Sequence, residues 1–190
     1  FITAIAFATT INVPGDYSTI QAGIDAANNG DTVLVASGTY IENISWPEMN
    51  GIKLIGSGEL NCIIDGNQEQ NVIRFEQNLN TLIDTTTIID GFTIKNGNGG
   101  ISCWLQSPTI RNVRISDNYR SGDGGGGIEL RYSTNAHLVN IRIIGNHAYY
   151  GGGVYLANSS PILNDVIISG NSATLSGGGL YCQDNSNPVL

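Results

Sequence analysis

From Ile110 onward, short aliphatic runs alternate with glycine and asparagine in a recurring order. "VRI" (Val113–Ile115) and "IRI" (Ile141–Ile143) read apolar, charged, apolar. That period of two predicts strands with Arg114 and Arg142 outside and the aliphatics inside. Asn118, Asn146 and Asn171 follow "VRISD", "IRIIG" and "VIISG". Ile128, Val154 and Leu180 each follow a glycine run, and Ile110, Leu138 and Leu163 each begin the next segment. The intervals are 25 to 28 residues, too long for a hairpin and without a helical half. The L-x-x-L-x-L pattern of leucine-rich repeats is absent. A solenoid of β-coils, one coil per repeat, satisfies the pattern.

Coils stacked about 4.8 Å apart put like residues above like residues. Ile115, Ile143 and Ile168 become an internal column, and Ile101/Cys103, Ile128/Leu130, Val154/Leu156 and Leu180/Cys182 become equivalent inward pairs. The outward columns are Arg114/Arg142/Ile167 and Ser102/Glu129/Tyr155/Tyr181. Asn118, Asn146 and Asn171 form a structural ladder at a corner, where amides can hydrogen-bond along the axis and Asn tolerates a left-handed backbone. The glycine runs let the chain turn without Cβ clashes.

The N-terminal third obeys a different pattern. Ser18 with Gln21 forms a capping box, Ile20, Ile24 and Ala27 share a face, and Gly30 is placed as a C-cap. A short amphipathic helix over Thr19–Asn28 and a strand over Asp31–Ala36 follow. Ile52, Leu54, Ile63, Ile64, Val72, Ile73 and Phe75 then anchor strands and turns. Residues 1–8, "FITAIAFA", are either the tail of a signal peptide cleaved after Ala6-Phe7-Ala8 or an apolar first strand. Residues 9–190 make one β-helix domain. The final "NPVL" starts like "SPIL" at Ser160, so the domain is expected to continue beyond Leu190 or to be covered there by another chain.

Composition supports an all-β chain: only 13% charged residues, 25 glycines, and Ile, Val and Thr in short runs. A net charge of −8 repels phosphate backbones and argues against nucleic acid as a partner. No apolar run is long enough to span a membrane as a helix. Cys103 and Cys182 share a column three coils apart, about 14 Å by strand spacing. That is beyond disulfide reach, so Cys62, Cys103 and Cys182 are expected as free, buried thiols.

"GGGIEL", "GGGVYL" and "GGGLYC", each preceded by I-x-x-N, resemble the repeats of polymorphic outer-membrane-protein adhesins, with Gly as the third small residue and Ile for Phe. "VPGDYSTIQAGIDAANNGDTVLVASGTYIEN" is similar to the cap and first coil of pectin methylesterases and other pectate-lyase-like β-helices, with Gly38, Tyr40 and Glu42 matching G-x-Y-x-E. The resemblances cover nearly the whole chain. They imply an all-β, right-handed parallel β-helix of about six coils with a short N-terminal capping helix, secreted or displayed on a bacterial cell surface. They do not extend to catalysis. The esterase Q-D-T and D-F-[IV]-F-G motifs and the polygalacturonase N-T-D, D-D and G-H-G signatures are absent. Glu42 is explained as a strand-end residue, so no catalytic residue is assigned.

For binding, Glu129, Tyr155 and Tyr181, with Trp104 and Arg131 in the adjoining column, form a candidate aromatic ridge for a carbohydrate or a surface protein. Ordinary β-surface aromatics are the alternative. No metal site or cofactor is assigned. A weak Ca²⁺ candidate is the corner column Asp90/Asn112/Asn140/Asp165. His137 and His147 lack acid or Ser partners by spacing and are expected as surface histidines. Three readings stand: a non-catalytic recognition, adhesion or structural protein, a polysaccharide-active enzyme with catalytic coils missing or diverged, and a filament subunit assembling end to end.

Overall fold

In the computed structural model the chain winds into a parallel β-solenoid of about 7 turns. The structure describes residues 7–76, 80–132 and 134–190; most of the segment expected as a signal remnant or first strand, residues 1–6, lies outside them. Three faces form. The first runs from Thr10–Val13 and Thr32–Val35 through Lys53–Gly56 and Ile88–Asp90, and the second holds Gly38–Ile41, Cys62–Asp65 and Thr93–Lys95. The third stacks Ile44–Ser45, Ile73–Phe75, Ile101–Trp104, Ile128–Arg131, Val154–Ala157 and Leu180–Gln183. In the later coils one strand serves both the first and second faces: Thr109–Ser116, His137–Ile144 and Ile162–Ser169 each bend at Asn112, Asn140 or Asp165, where φ is 52°, 52° and 54°.

The expected columns hold in register. Ile115, Ile143 and Ile168 are paired partners, as are Arg114, Arg142 and Ile167. Ile101, Ile128, Val154 and Leu180 also stack, as do Cys103, Leu130, Leu156 and Cys182. The corner column is shifted in its first coil. Asp90 pairs with Arg111, not Asn112, because Gly91 (φ 79°) makes that turn. Arg111 Nε donates to Asp90 Oδ2 at 2.7 Å and Asn112 Nδ2 to Asp90 Oδ1 at 2.8 Å. The carboxylate at this corner therefore faces cationic and amide donors.

The asparagine ladder is built inside the corner. Asn146 Oδ1 accepts from the Asn118 backbone N–H (3.0 Å) and from Asn118 Nδ2 (2.9 Å). Asn146 Nδ2 donates to Asn171 Oδ1 and to the Ile115 carbonyl, both at 3.0 Å. Asn118 and Asn146 are each 1% exposed. Each amide thus satisfies backbone groups that a corner would otherwise strand away from water. Asn146→Ala leaves several of them unpaired and is expected to cost roughly 3 kcal/mol. Urea denaturation should show a lower midpoint at unchanged slope, and a loss under about 1 kcal/mol would mean that water replaces the amide.

At the N-terminus the helix is Ile20–Ala26, capped by Thr19, whose hydroxyl accepts from the Ala22 N–H. Ser18 is not the cap. Gln21, expected in a capping box, instead bonds both backbone groups of Ser45. The anion at the helix start is Glu42, whose two oxygens accept the N–H groups of Ile20 (2.9 Å) and Gln21 (3.0 Å). Helix and first coil are thereby tied, and Glu42 has a structural role. Ala27, not Gly30, forms the C-cap. All three cysteines are free. Cys62 and Cys103 are buried as expected, but Cys182 is exposed, because its strand Leu180–Gln183 pairs on one side alone among the described residues.

Candidate functional site

The outside of the third face carries the column Ser102/Glu129/Tyr155/Tyr181 beside the column Trp104/Arg131/Ala157/Gln183. The pattern alone makes both exposed. The structure buries three members of the first, with Glu129 1% and Tyr155 3% exposed beside a buried Ser102, and leaves Tyr181 half-buried. The stretch from Asn118 to Ile128 is two residues longer than its equivalent from Asn146 to Val154. Tyr119 and Arg120 still pair with the neighbouring coils through the Gly97 and His147 carbonyls, and the extra length lets Ser121–Gly124 lie over the sheet. Gly124 sits so close to the Glu129 carboxylate that a Cβ would strike it. Lower down, Tyr155 is covered by Tyr181, stacked at 5.6 Å, and by Arg131, whose guanidinium lies 4.6 Å from the ring centre.

Glu129 is the hub of this cover. Its Oε1 accepts from Arg131 Nε at 2.6 Å, and its Oε2 accepts from Ser102 Oγ at 2.9 Å and pairs with Arg120 Nη2 at 3.3 Å. Arg120 in turn donates from Nη1 to Asn71 Oδ1 at 2.7 Å. Burial opposes the charge on Arg131, but the adjacent Glu129 carboxylate outweighs it and raises the pKa. Burial likewise raises that of Tyr155, against the opposing pull of Arg131. Arg131 also lies 5.7 Å from the Trp104 ring centre, and Tyr132 meets that ring edge-on at 5.7 Å. The indole is thus held from two sides.

Next to this hub opens a cleft of about 460 Å³. Arg74, Ser102, Trp104 and Glu129 line its sheet side. Glu69, Asn71 and Asn98 contribute from the turns of earlier coils, and Arg120 and Asp123 from the overlying loop. Arg74 is paired with Glu76 at 2.8 Å. Carboxylates outnumber guanidinium groups around the opening, so the cleft has no cationic excess for a polyanion. Glu129 has both oxygens engaged by cations or a hydroxyl, and Ser102 spends its proton on that carboxylate, so neither oxygen is free to face a substrate. The arrangement is suited to holding polar groups and a ring face.

Of the residues expected to bind, Trp104 and Glu129 line the cleft, and Arg131 touches both without lining it. Tyr155 is packing beneath Arg131, and Tyr181 stacks on Tyr155 and meets Tyr150 at a tilt (5.1 Å) without lining the cleft. Asn71, Arg74, Arg120 and Asp123 escaped a reading based on repeats, because each lies in a turn or on an exterior position that the repeat leaves free. The extra length after Asn118 was the available signal. His147 also departs from expectation. Its Nδ1 lies 2.9 Å from Ser172 Oγ and its Nε2 3.2 Å from Thr174 Oγ1, and it is half-buried under Tyr119. Ser172 is its register partner one coil on. Among the described residues no three His, Cys, Asp or Glu side chains cluster as a metal site, and no helix is long and apolar enough to cross a membrane.

Comparison with known proteins agrees with this architecture. Among solved structures, pectin methylesterase PemA from Erwinia chrysanthemi superposes with a TM-score of 0.56 at 13% identity, over 84% of this chain and 56% of the esterase chain. The chain therefore spans little more than half the length of that protein, and the likeness is one of fold. No curated protein matches the sequence. The model of the right-handed beta-helix region matches residues 43–190, and the chain belongs to that family.

Proposed function

We propose that this β-helix is a non-catalytic glycan-recognition module of a secreted or cell-surface protein, with neutral sugar rings as its ligands. The observation that carries this is the cleft beside Trp104, about 460 Å³ in volume and backed by the buried Glu129 network. Sugars present apolar ring faces and a rim of hydroxyls. The indole supplies the surface for the first, and Asn71, Asn98 and the carboxylates of Glu69, Glu76 and Asp123 supply partners for the second. The engaged state of Glu129 and the capping role of Glu42 leave neither group poised for hydrolysis or esterase chemistry. A site whose supporting shell is fixed before binding loses little entropy to ordering.

The test is calorimetric titration with neutral oligosaccharides, using the whole chain and Trp104→Ala. Loss of the indole face is expected to weaken binding about tenfold. Equal binding by both proteins would remove the cleft from the mechanism, and release of cleaved or de-esterified sugar would overturn the non-catalytic reading.

A further inference from the structure

A second hollow, of about 410 Å³, lies beside the first and is lined by Gln68, Asn98, Tyr119 and Ser121. Asn98 and Ser121 line both, so the two hollows adjoin at these residues. Tyr119 is 58% exposed. A lone exposed aromatic needs no explanation; this one is held as a platform. Its ring stacks on His147 at 5.0 Å and 10°, and both nitrogens of that imidazole face hydroxyls of the next coil. Its backbone N–H bonds the Gly97 carbonyl at 2.9 Å, and Tyr119 and His147 are bridged in parallel register.

That hydrogen bond places Asn98 over Tyr119 one coil earlier. Asn98 Oδ1 accepts the Ser121 N–H at 3.2 Å, which turns the amide toward the loop. One ring face of Tyr119 is therefore backed by histidine, and the exposed ring borders the hollow. An aromatic ring fixed on one face and open on the other is the arrangement that stacks a sugar ring at low entropic cost. Together with Trp104, it makes two separate ring platforms, and the polar residues Asn98 and Ser121 border the hollow beside each.

We propose that Tyr119 is a second stacking subsite and that the ligand is an extended neutral glycan running from Trp104 past Asn98 to Tyr119. This rests on the glycan-binding reading of the cleft. The experiment is titration with cello- and manno-oligosaccharides of two to six rings against the unaltered chain, Tyr119→Ala, Tyr119→Phe and Trp104→Ala. The unaltered chain should gain affinity with length. Tyr119→Ala should abolish that gain, about tenfold for the longest ligands, and leave the disaccharide unchanged. Tyr119→Phe should keep it, which separates loss of the ring from loss of the fold. Trp104→Ala should weaken every length. Affinity that does not grow with length, or Tyr119→Ala acting equally on all lengths or on none, overturns the second subsite alone. Absence of binding by the unaltered chain at every length overturns the cleft reading with it.

Discussion

Glu129→Ala is expected to destabilise the fold by roughly 3 kcal/mol, near the lower end of what breaking a buried ion pair costs. The carboxylate is 1% exposed, while the side chains of Arg131 and Arg120 keep 17% and 20% exposure. Removing it leaves two guanidinium groups with reduced access to water and takes away the acceptor of Ser102. Water can reach part of each arginine, which keeps the cost from the top of the range. Glu129→Gln preserves one acceptor oxygen and should cost less than half as much. Chemical denaturation of the three proteins at neutral pH provides the comparison. A loss below about 1 kcal/mol for the alanine variant would mean that the network is as exposed as a surface ion pair. The same substitution should release Ser121–Gly124 from the sheet, so faster amide exchange in that loop is an accompanying readout.

Gly153→Ala is expected to cost about 3 kcal/mol or more. The added Cβ would lie 2.5 Å from the Gly179 carbonyl oxygen, 2.8 Å from Ile168 Cγ2 and 2.9 Å from Asn171 Nδ2. The carbonyl cannot retreat freely, because it accepts the Val154 N–H at 2.8 Å. Moving it breaks the coil-to-coil ladder, and keeping it imposes an overlap that no rotamer relieves. Gly127 stands in the same relation to Gly153, with the same 2.5 Å approach. Gly127 and Gly153, the third glycines of the first two triplets, are therefore required by close approach between coils, not by turn conformation, whereas a Cβ at Gly179 would meet only Ile168 Cγ2, at 3.5 Å. By contrast a Cβ at Gly122, in the covering loop, meets nothing within 4 Å, and Gly122→Ala should leave the denaturation midpoint nearly unchanged. Equal stability of the two variants would show that the coils separate easily at the glycine corner.

These predictions divide along what could be read in advance. The register of Asn118, Asn146 and Asn171, the inward pair Val154/Leu156 and the outward column through Glu129 and Tyr155 all follow from spacing. In a solenoid each residue's axial neighbour sits one repeat away, so sequence periodicity translates directly into contacts. The bends at Asn112, Asn140 and Asp165 follow from the same logic; Asp90 does not, because the coil containing it turns at Gly91.

Whether an outward residue meets water was decided elsewhere. Glu129 occupies an exterior position of its sheet and is nonetheless buried, because the loop after Asn118 is long enough to fold across it and brings Arg120 with it. Arg120 reaches Asn71, 49 residues away, and Glu42 caps a helix that begins 22 residues before it. Alternation along a strand specifies the face on which a side chain lies, which is a property of the local backbone. Its cover, its partners and the cleft beside Trp104 depend on loops and exterior side chains that no period relates. The coils and their columns were thus determined by sequence alone, and the chemistry of the outer surface by how the chain packs back over them.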